Sequence, residues 1–425
     1  MMAVLTQKPR GTDDLLPSES YQWHYVEEKM RSIAHRFGHN EIRFPTFEHT
    51  ELFHRSIGDT TDVVEKEMYT FTDRGGRSIT LRPEGTASVV RSFVENSIYA
   101  AGLPVKVYYI VPNFRYEKPQ AGRFREHHQF GVECFGSYEP SADAEVISLA
   151  YALLTEVGLK QLALQINSIG CPECRGKYRA ALVEYFEQRK DKLCGTCLDR
   201  MERNPLRILD CKSPVCQEIA KDAPLCIDYL CGDCGAHFEK VQNYLTDAGI
   251  AYSVNPRIVR GLDYYNRTVF EFVSTQIGAQ GTVCGGGRYD GLVEQIGGPA
   301  TAGLGFGMGI ERLLLVMKAE NVEIPAPAGC DLFLASLGEE TDRPVQQLVY
   351  ELRRMGFATA RDTTGRGLKA QMKYADRIGA RFSMVIGGDE LASGQIKIKN
   401  MDSGEQMLIA LTAEAIAAYL EAASC

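Results

Sequence analysis

Phe114-Arg115-Tyr116-Glu117-Lys118-Pro119-Gln120-Ala121-Gly122-Arg123-Phe124-Arg125-Glu126-His127-His128-Gln129 is the stretch on which the reading of this chain turns. It reads as two strands joined by a loop rich in cations. The preceding run, Val-Lys-Val-Tyr-Tyr-Ile-Val at 105–111, is strongly β-prone and leads into it. Arg115, Lys118, Arg123 and Arg125 fall within eleven residues, with Gln120 between them and Gln129 and Glu133 following. A strand arginine holds a phosphate in a fixed fork, whereas loop cations reach along a polyanion. A solvated basic hairpin tip has the same composition, so the segment alone leaves both readings open.

Outward from the hairpin, the pattern is that of a mixed α+β core with an insert. Trp23, Val26, Met30, Ile33 and Phe37 recur at helical spacing over 21–37, Gly38 ends the run, and 41–45 reads as a strand closed by Pro45. A helix is expected over 86–97, after Pro83, and another over 144–157, capped by Ser141. Residues 162–167 alternate like a strand. From Cys171 to about Gly249 the chain reads as an insertion containing helices over 179–189 and 237–248, and strands resume at 268–273 and 281–284. Pro325-Ala326-Pro327-Ala328-Gly329 marks a boundary, beyond which strands and helices alternate as in a small α/β domain. The expected division is 1–170 and 251–325 for the two parts of the core, 171–250 for the Cys-rich helical insertion and 330–425 for the last domain.

The chain of 425 residues, 44% apolar and 24% charged, is too long for one ordinary core and has the balance of a soluble protein. It has neither an N-terminal apolar segment of signal-peptide length nor an apolar run of about 18 residues, so a cytoplasmic location without a membrane span is expected. The net charge of −8 does not mark a nucleic-acid binder, but binding depends on local patches. Residues 353–381 carry eight basic side chains against Asp362 and Asp376, a local balance of +6. Arg366, Lys369, Lys373 and Arg377 recur there at helical spacing, opposite Leu368, Met372, Ala375 and Ile378. Such a stripe is either a solvated face or a phosphate contact.

Nine of the thirteen cysteines lie between Cys171 and Cys234. Eight pair as Cys171/Cys174, Cys194/Cys197, Cys211/Cys216 and Cys231/Cys234, leaving Cys226 over. Two close pairs complete a four-thiolate shell, so the eight suffice for two structural zinc sites. Reduced thiols with no metal fit the same spacing, and both readings stay open.

The extended segment ending at Pro45, the arginine hairpin and Gly305-Phe306-Gly307-Met308-Gly309-Ile310-Glu311-Arg312-Leu313 resemble, in that order, motifs 1, 2 and 3 of class II aminoacyl-tRNA synthetases. Val259-Arg260-Gly261-Leu262-Asp263-Tyr264-Tyr265 and Gly285-Gly286-Gly287-Arg288-Tyr289-Asp290-Gly291-Leu292 resemble the two signatures peculiar to histidyl-tRNA synthetases. Leu81-Arg82-Pro83-Glu84-Gly85-Thr86 and Pro9-Arg10-Gly11-Thr12-Asp13 fit as well, and the resemblance runs from about residue 8 to the C-terminus. It implies a catalytic core on an antiparallel sheet, a C-terminal anticodon-binding domain, and a homodimer built on the first helix and strand. The substrates implied are ATP with Mg2+, L-histidine and tRNA(His). The family does not need zinc.

The resemblance also implies roles. Activation is an in-line attack of the amino-acid carboxylate on the α-phosphate, so positioning and charge neutralisation dominate. Arg115 matches the α-phosphate arginine and Arg312 the one near the γ-phosphate, with Arg123 and Gly307 also on ATP. Arg260 matches a fixed charge between α-phosphate and substrate carboxylate. Glu133 and Tyr265, with Tyr264 and Tyr289, match the residues around the imidazole, whose two nitrogens need one donor and one acceptor. Glu84, Gly85, Thr86 and Gln129 match those at the amino and carboxylate ends. Lys118 and Gln120 in the hairpin loop, and the four basic residues of the tail, face tRNA. Lys118 stands where many relatives have arginine, and His127, where phenylalanine is usual, reads as a packing substitution. Two other classes compete: a regulatory paralogue that binds histidine without charging tRNA, and a zinc-stapled nucleic-acid-binding protein, which explains the cysteines but not the ordered motifs.

Overall fold

The computed structural model describes residues 6–58, 61, 63–120, 122–209, 211, 213–258, 260–276 and 281–423; Ala121 and Val259, from two of the quoted blocks, lie outside them. The chain divides into two compact units, Met1–Ile324 and Pro325–Cys425, parted at the Pro-Ala-Pro-Ala-Gly segment. The Cys-rich insertion belongs to the first unit.

Strands of the first unit, in chain order, are β1 (Asn40–Glu41), β2 (Phe47–His49), β3 (Tyr69–Thr72), β4 (Ser78–Leu81), β5 (Val105–Phe114), β6 (Glu126–Phe135), β7 (Leu162–Ser168), β8 (Ser253–Val254), β9 (Asn266–Ser274), β10 (Thr282–Arg288) and β11 (Gly303–Gly309). Among the described residues, eight of them form one sheet in the order β1-β5-β6-β11-β10-β9-β7-β8, and β2-β4-β3 form a small second sheet. All central pairings are antiparallel; only the edge pairs β1 with β5 and β7 with β8 are parallel.

Period-2 alternation assigns the two faces of the large sheet. Phe130, Val132 and Cys134 of β6, Leu304, Phe306 and Met308 of β11, and Phe270 and Phe272 of β9 enter one core. Helices Ser20–Arg36, Pro140–Glu156 and Ile310–Ala319 cover that face with residues such as Met30, Ile33, Ile147, Leu153, Leu313 and Val316. Each fully buried side chain of this kind contributes roughly 1.5–3 kcal/mol. The opposite face carries a second core, where Val89, Val90 and Phe93 of helix Thr86–Glu95 cluster with Val107, Tyr109, Val111 and Phe135, and the site forms on that face where the strands carry glycine instead.

Two local expectations are corrected. The strand at 41–45 is confined to Asn40–Glu41, because buried Arg82 captures the backbone beyond it: Nη1 donates to the carbonyls of Pro45 at 2.7 Å and Phe44 at 3.1 Å, and Nε to that of Pro112 at 2.7 Å. The helix expected at 144–157 with Ser141 as cap instead runs Pro140–Glu156 after Glu139, since proline preset for the first helical turn starts it earlier.

In the second unit β12 (Leu332–Ser336), β13 (Thr359–Arg361), β14 (Phe382–Ile386), β15 (Gln395–Asn400) and β16 (Gln406–Ala410) form a sheet in the order β13-β12-β14-β15-β16. Its first three strands are parallel and its last two antiparallel. Helices Asp342–Arg354 and Ala413–Ala422 bury Val345, Val349, Leu352 and Ile416 against Leu332, Leu334 and Ile398. Among the described residues, no helix is long and apolar enough to cross a membrane.

Candidate active site

The sequence Gly-Leu-Gly-Phe-Gly-Met-Gly of β11 turns its large side chains into the core and leaves only glycine on the other face. Gly305 and Gly307 pair with Gly287 and Gly285 of β10, and Gly307 also pairs with Gly131 of β6. The centre of the sheet is therefore paved with main chain. The space above it is already taken by polar side chains. A Cβ on Gly307 would lie 1.7 Å from Nε2 of Gln129, on Gly305 2.0 Å from Oε2 of Glu133, and on Gly285 2.7 Å from Nη1 of Arg260.

A cleft of about 650 Å³ opens over this floor. Arg115, Arg123, Arg260 and Arg312 all line it, together with Gln129, Gly307 and the carboxylates of Glu117, Glu271 and Glu311. The three arginines drawn from separate blocks of sequence thus meet in one cavity. Each is held by oxygen acceptors. Arg115 Nε donates to the Pro83 carbonyl at 2.7 Å, and Arg312 Nη1 to that of Thr282 at 2.8 Å. Arg260 pairs with Glu271, which also accepts from Thr282 Oγ1 at 2.9 Å. The Nε of Arg260 is buried with no hydrogen-bond partner among the described residues. Arg123 pairs with Glu117 at 3.2 Å. His127 also lines the cleft; burial, then Arg115 and the neighbouring cations, push its pKa down to about 3, so it stays neutral.

Beneath the cleft, on the same face of β6, lies a buried polar cluster centred on Glu133, which is fully inaccessible. Thr86 Oγ1 donates to its Oε1 at 2.7 Å and Tyr109 OH at 3.3 Å, while Tyr289 OH donates to Oε2. Burial pushes the Glu133 carboxyl up to about 8, outweighing the three hydroxyls that favour its charge. Tyr264 stands between Tyr265 and Tyr289, with ring centroids 4.7 and 5.6 Å away. Tyr265 packs on Tyr264 with its ring 5.7 Å from the Arg260 guanidinium. Glu84 accepts the amides of Thr86 at 2.7 Å and Ala87 at 2.8 Å, opening helix Thr86–Glu95. Gly85 makes room for the Tyr109 ring, which a Cβ there would approach to 2.4 Å.

Other candidates lie elsewhere. Lys118 and Gln120 are exposed on the hairpin loop, whose turn is closed by paired backbone bonds between Gln120 and Arg123. In the second unit Lys369, Lys373 and Arg377 are exposed on helix Leu368–Arg377, while Leu368, Met372 and Ile378 pack inward around Ala375. Arg366 precedes that helix rather than lying on it; it pairs with Asp362 at 3.5 Å and lies over the Tyr374 ring. The eight paired cysteines fall into two groups of four.

Three site residues escaped the sequence reading. Tyr109 looked like any β-strand aromatic, and only the register that sets it opposite Gly131 brings its hydroxyl to Glu133. Asn113 is fully buried and donates to Gln129 Oε1 at 2.5 Å. Glu271, the partner of Arg260, sits mid-strand; a lone acid in the apolar run Val-Phe-Glu-Phe-Val was the available signal.

A histidyl-tRNA synthetase family model matches residues 11–173 and 217–313, and an anticodon binding domain model matches 331–422. The chain belongs to the histidyl-tRNA synthetase family. It is 57% identical over 403 residues to the histidine–tRNA ligase of Caldanaerobacter subterraneus subsp. tengcongensis, covering 95% of this chain and 97% of that one. With the histidine–tRNA ligase of Acetivibrio thermocellus it shares 54% over 408 residues, covering 96% and 98%. Among solved structures, apo S. aureus histidyl-tRNA synthetase superposes with a TM-score of 0.85 at 41% identity, covering 98% of this chain and all of that one. A histidyl-tRNA synthetase model that skips 174–216 leaves the middle of the insertion, with five of the eight paired cysteines, outside the family's common pattern.

Proposed function

We infer that this chain is an ATP-dependent histidine–tRNA ligase, which joins histidine to ATP as histidyl-adenylate with release of pyrophosphate and then esterifies the 3′ end of tRNA(His). The observation that carries the reading is the meeting of Arg115, Arg260 and Arg312 in one glycine-floored cleft beside a buried Glu133. ATP lies over the floor, its α-phosphate against Arg115 and Arg260 and its γ-phosphate at Arg312, with Arg123 alongside. Attack by the histidine carboxylate builds negative charge at the α-phosphoryl group, which fixed guanidinium groups stabilise without reorganising. Arg260 suits this role because it lines the cleft and Glu271 orients its guanidinium. Mg2+ supplies further neutralisation of the triphosphate when bound; Glu117 and Glu311 are cleft carboxylates with the hard oxygen donors it requires.

Histidine enters with its ring toward Glu133 and Tyr264, Tyr265 and Tyr289, and its charged ends toward Gln129, Thr86 and Glu84. An imidazole N–H reaching Glu133 is accepted in a dry environment. An apolar side chain would forgo that bond, and Glu133 would keep only its three hydroxyl partners, a loss of roughly 0.5–1.5 kcal/mol for one hydrogen bond. Gly85 keeps the wall thin. Lys118 and Gln120 meet the acceptor end of tRNA, and the exposed cations Lys369, Lys373 and Arg377, with Arg366, track its phosphates. Exposed Phe47 and Phe71 on the small sheet suit contact with a second copy, and we assign a homodimer; its place is the cytoplasm, where charging of tRNA supplies translation.

A histidine-sensing regulatory paralogue needs neither pyrophosphate chemistry nor an anticodon-binding tail, and this chain keeps the arginines and the tail. Histidine-dependent ATP–pyrophosphate exchange tests the choice. The parent chain should exchange, and Arg260→His should abolish exchange while retaining its melting profile. A parent without exchange refutes the ligase reading, and an active Arg260→His refutes the role of Arg260.

A further inference from the structure

Helix Gly195–Arg203 of the insertion buries one side chain, Cys197, and Pro214–Ala220 buries only Cys216 and Ala220. Met201, Ile208 and Ile219 add some packing against the neighbouring core, but helices with so little buried surface gain stability from a staple. The thiols themselves supply the material for one. Cys171, Cys174, Cys231 and Cys234 form one group and Cys194, Cys197, Cys211 and Cys216 another, all sulfurs within each group lying within 4.8 Å of one another. All eight thiols are free. A zinc–thiolate tetrahedron with bonds of about 2.3 Å sets its sulfurs roughly 3.8 Å apart. The sulfur separations are 3.6 Å for Cys171–Cys174, 4.0 Å for Cys171–Cys231 and 3.8 Å for Cys194–Cys211. Amides point at the sulfurs as acceptors: Cys231 N donates to Cys174 Sγ at 3.0 Å, Cys194 N to Cys216 Sγ at 3.3 Å and Ser213 N to Cys211 Sγ at 3.4 Å. Such donors offset the charge of a thiolate shell.

We propose that the insertion holds two structural zinc ions, one in each four-cysteine group, and that they brace the loop on which histidine selection depends. An all-sulfur, four-coordinate shell selects a soft tetrahedral ion over Mg2+ or Ca2+. The two sites are nested: the outer joins the two ends of the insertion and the inner lies wholly between its ligands. The bracing follows from three contacts. Arg175, next to Cys174, donates from Nη1 to the Tyr265 carbonyl at 3.0 Å. Between the inner ligands, Arg207 Nη2 donates to the Gly261 carbonyl at 2.6 Å and Asn204 Nδ2 to Asp263 Oδ1 at 3.2 Å. Residues 260–265 are thus tied from behind by groups that the metals hold in place. This second part rests on the reading of that loop as a histidine contact; the metal sites do not.

Elemental analysis of the untagged full-length chain should give two zinc ions per chain. Growth with cobalt should give the visible absorption of tetrahedral cobalt thiolate. Cys171→Ser with Cys231→Ser should remove one zinc, Cys194→Ser with Cys211→Ser the other, and Cys226→Ala neither. Zinc at the buffer background, or iron in its place, overturns the sites irrespective of activity; the cobalt spectrum of the parent chain decides the matter if the variants fail to fold. In exchange assays the inner-site variant should raise KM for histidine about tenfold, as loss of one or two hydrogen bonds would, with kcat within roughly twofold. An unchanged KM in a variant shown to lack that zinc overturns the bracing alone.

Discussion

Adjacent glycines of β10 face opposite sides of the sheet, and this separates a chemical role from a packing role within two residues. A Cβ on Gly285 would meet Arg260 Nη1 at 2.7 Å and its Cζ at 2.9 Å, contacts with the far end of a long side chain. Relief to an ordinary separation of about 3.4 Å moves the guanidinium by roughly 0.7 Å, and misplacement near 1 Å costs up to about 100-fold in rate. Gly285→Ala should therefore lower kcat/KM for histidine-dependent exchange about 10- to 100-fold while its melting temperature moves by no more than about 2 °C. On Gly286 the new Cβ would lie 2.0 Å from the Gly305 carbonyl oxygen and 2.6 Å from the Phe306 Cα, which are main-chain atoms at the centre of the sheet. Gly286→Ala should cost about 3 kcal/mol or more, a large share of a domain's stability. The paired measurement is exchange kinetics with thermal melting. Normal exchange by Gly285→Ala, or a melting loss equal to that of Gly286→Ala, would refute the assignment of the two faces.

Two further outcomes are expected. The folded-state pKa of Glu133, about 8 against an ordinary 4.5, means the native state holds a proton there that the unfolded chain has lost; this stabilisation is complete below about 4.5 and disappears as pH rises through about 8. Ligand-free stability should then fall across that window by up to about 1.4 kcal/mol per pH unit, and Glu133→Gln should flatten the fall; equal slopes in urea titrations of the two proteins would be inconsistent with this. Replacing Arg366, Lys369, Lys373 and Arg377 with glutamine should weaken tRNA binding and reduce the steepness of log Kd against log salt by about 3, leaving pyrophosphate exchange unchanged; an unaltered salt slope would place tRNA elsewhere.

Much of this arrangement was legible in the sequence because it is written in local periodicity. The alternation of glycine with Leu304, Phe306 and Met308 declares one face core and the other bare, and the hairpin cations sit where strand ends must place them. What stayed hidden depends on partners distant in sequence. Tyr109 becomes a ligand of Glu133 only through the β5–β6 register and the space left by Gly85 and Gly131. The strand expected through Pro45 is shortened by Arg82, whose attraction to three carbonyls no propensity records. Cysteine spacing gave the pairs, but which pair joins which is a tertiary matter: Cys171/Cys174 meet Cys231/Cys234, whereas Cys194/Cys197 meet Cys211/Cys216.

The bare pavement under the cleft also limits how this enzyme can change. Peptide groups cannot be exchanged for other chemistry, and any side chain added at Gly305 or Gly307 collides with Glu133 or Gln129 before it can touch a new substrate. If histidine binds as proposed, altered amino-acid preference must then come from the enclosing residues, above all Glu133, Tyr109 and Tyr289, whose shared hydrogen bonds make them resistant to replacement one at a time.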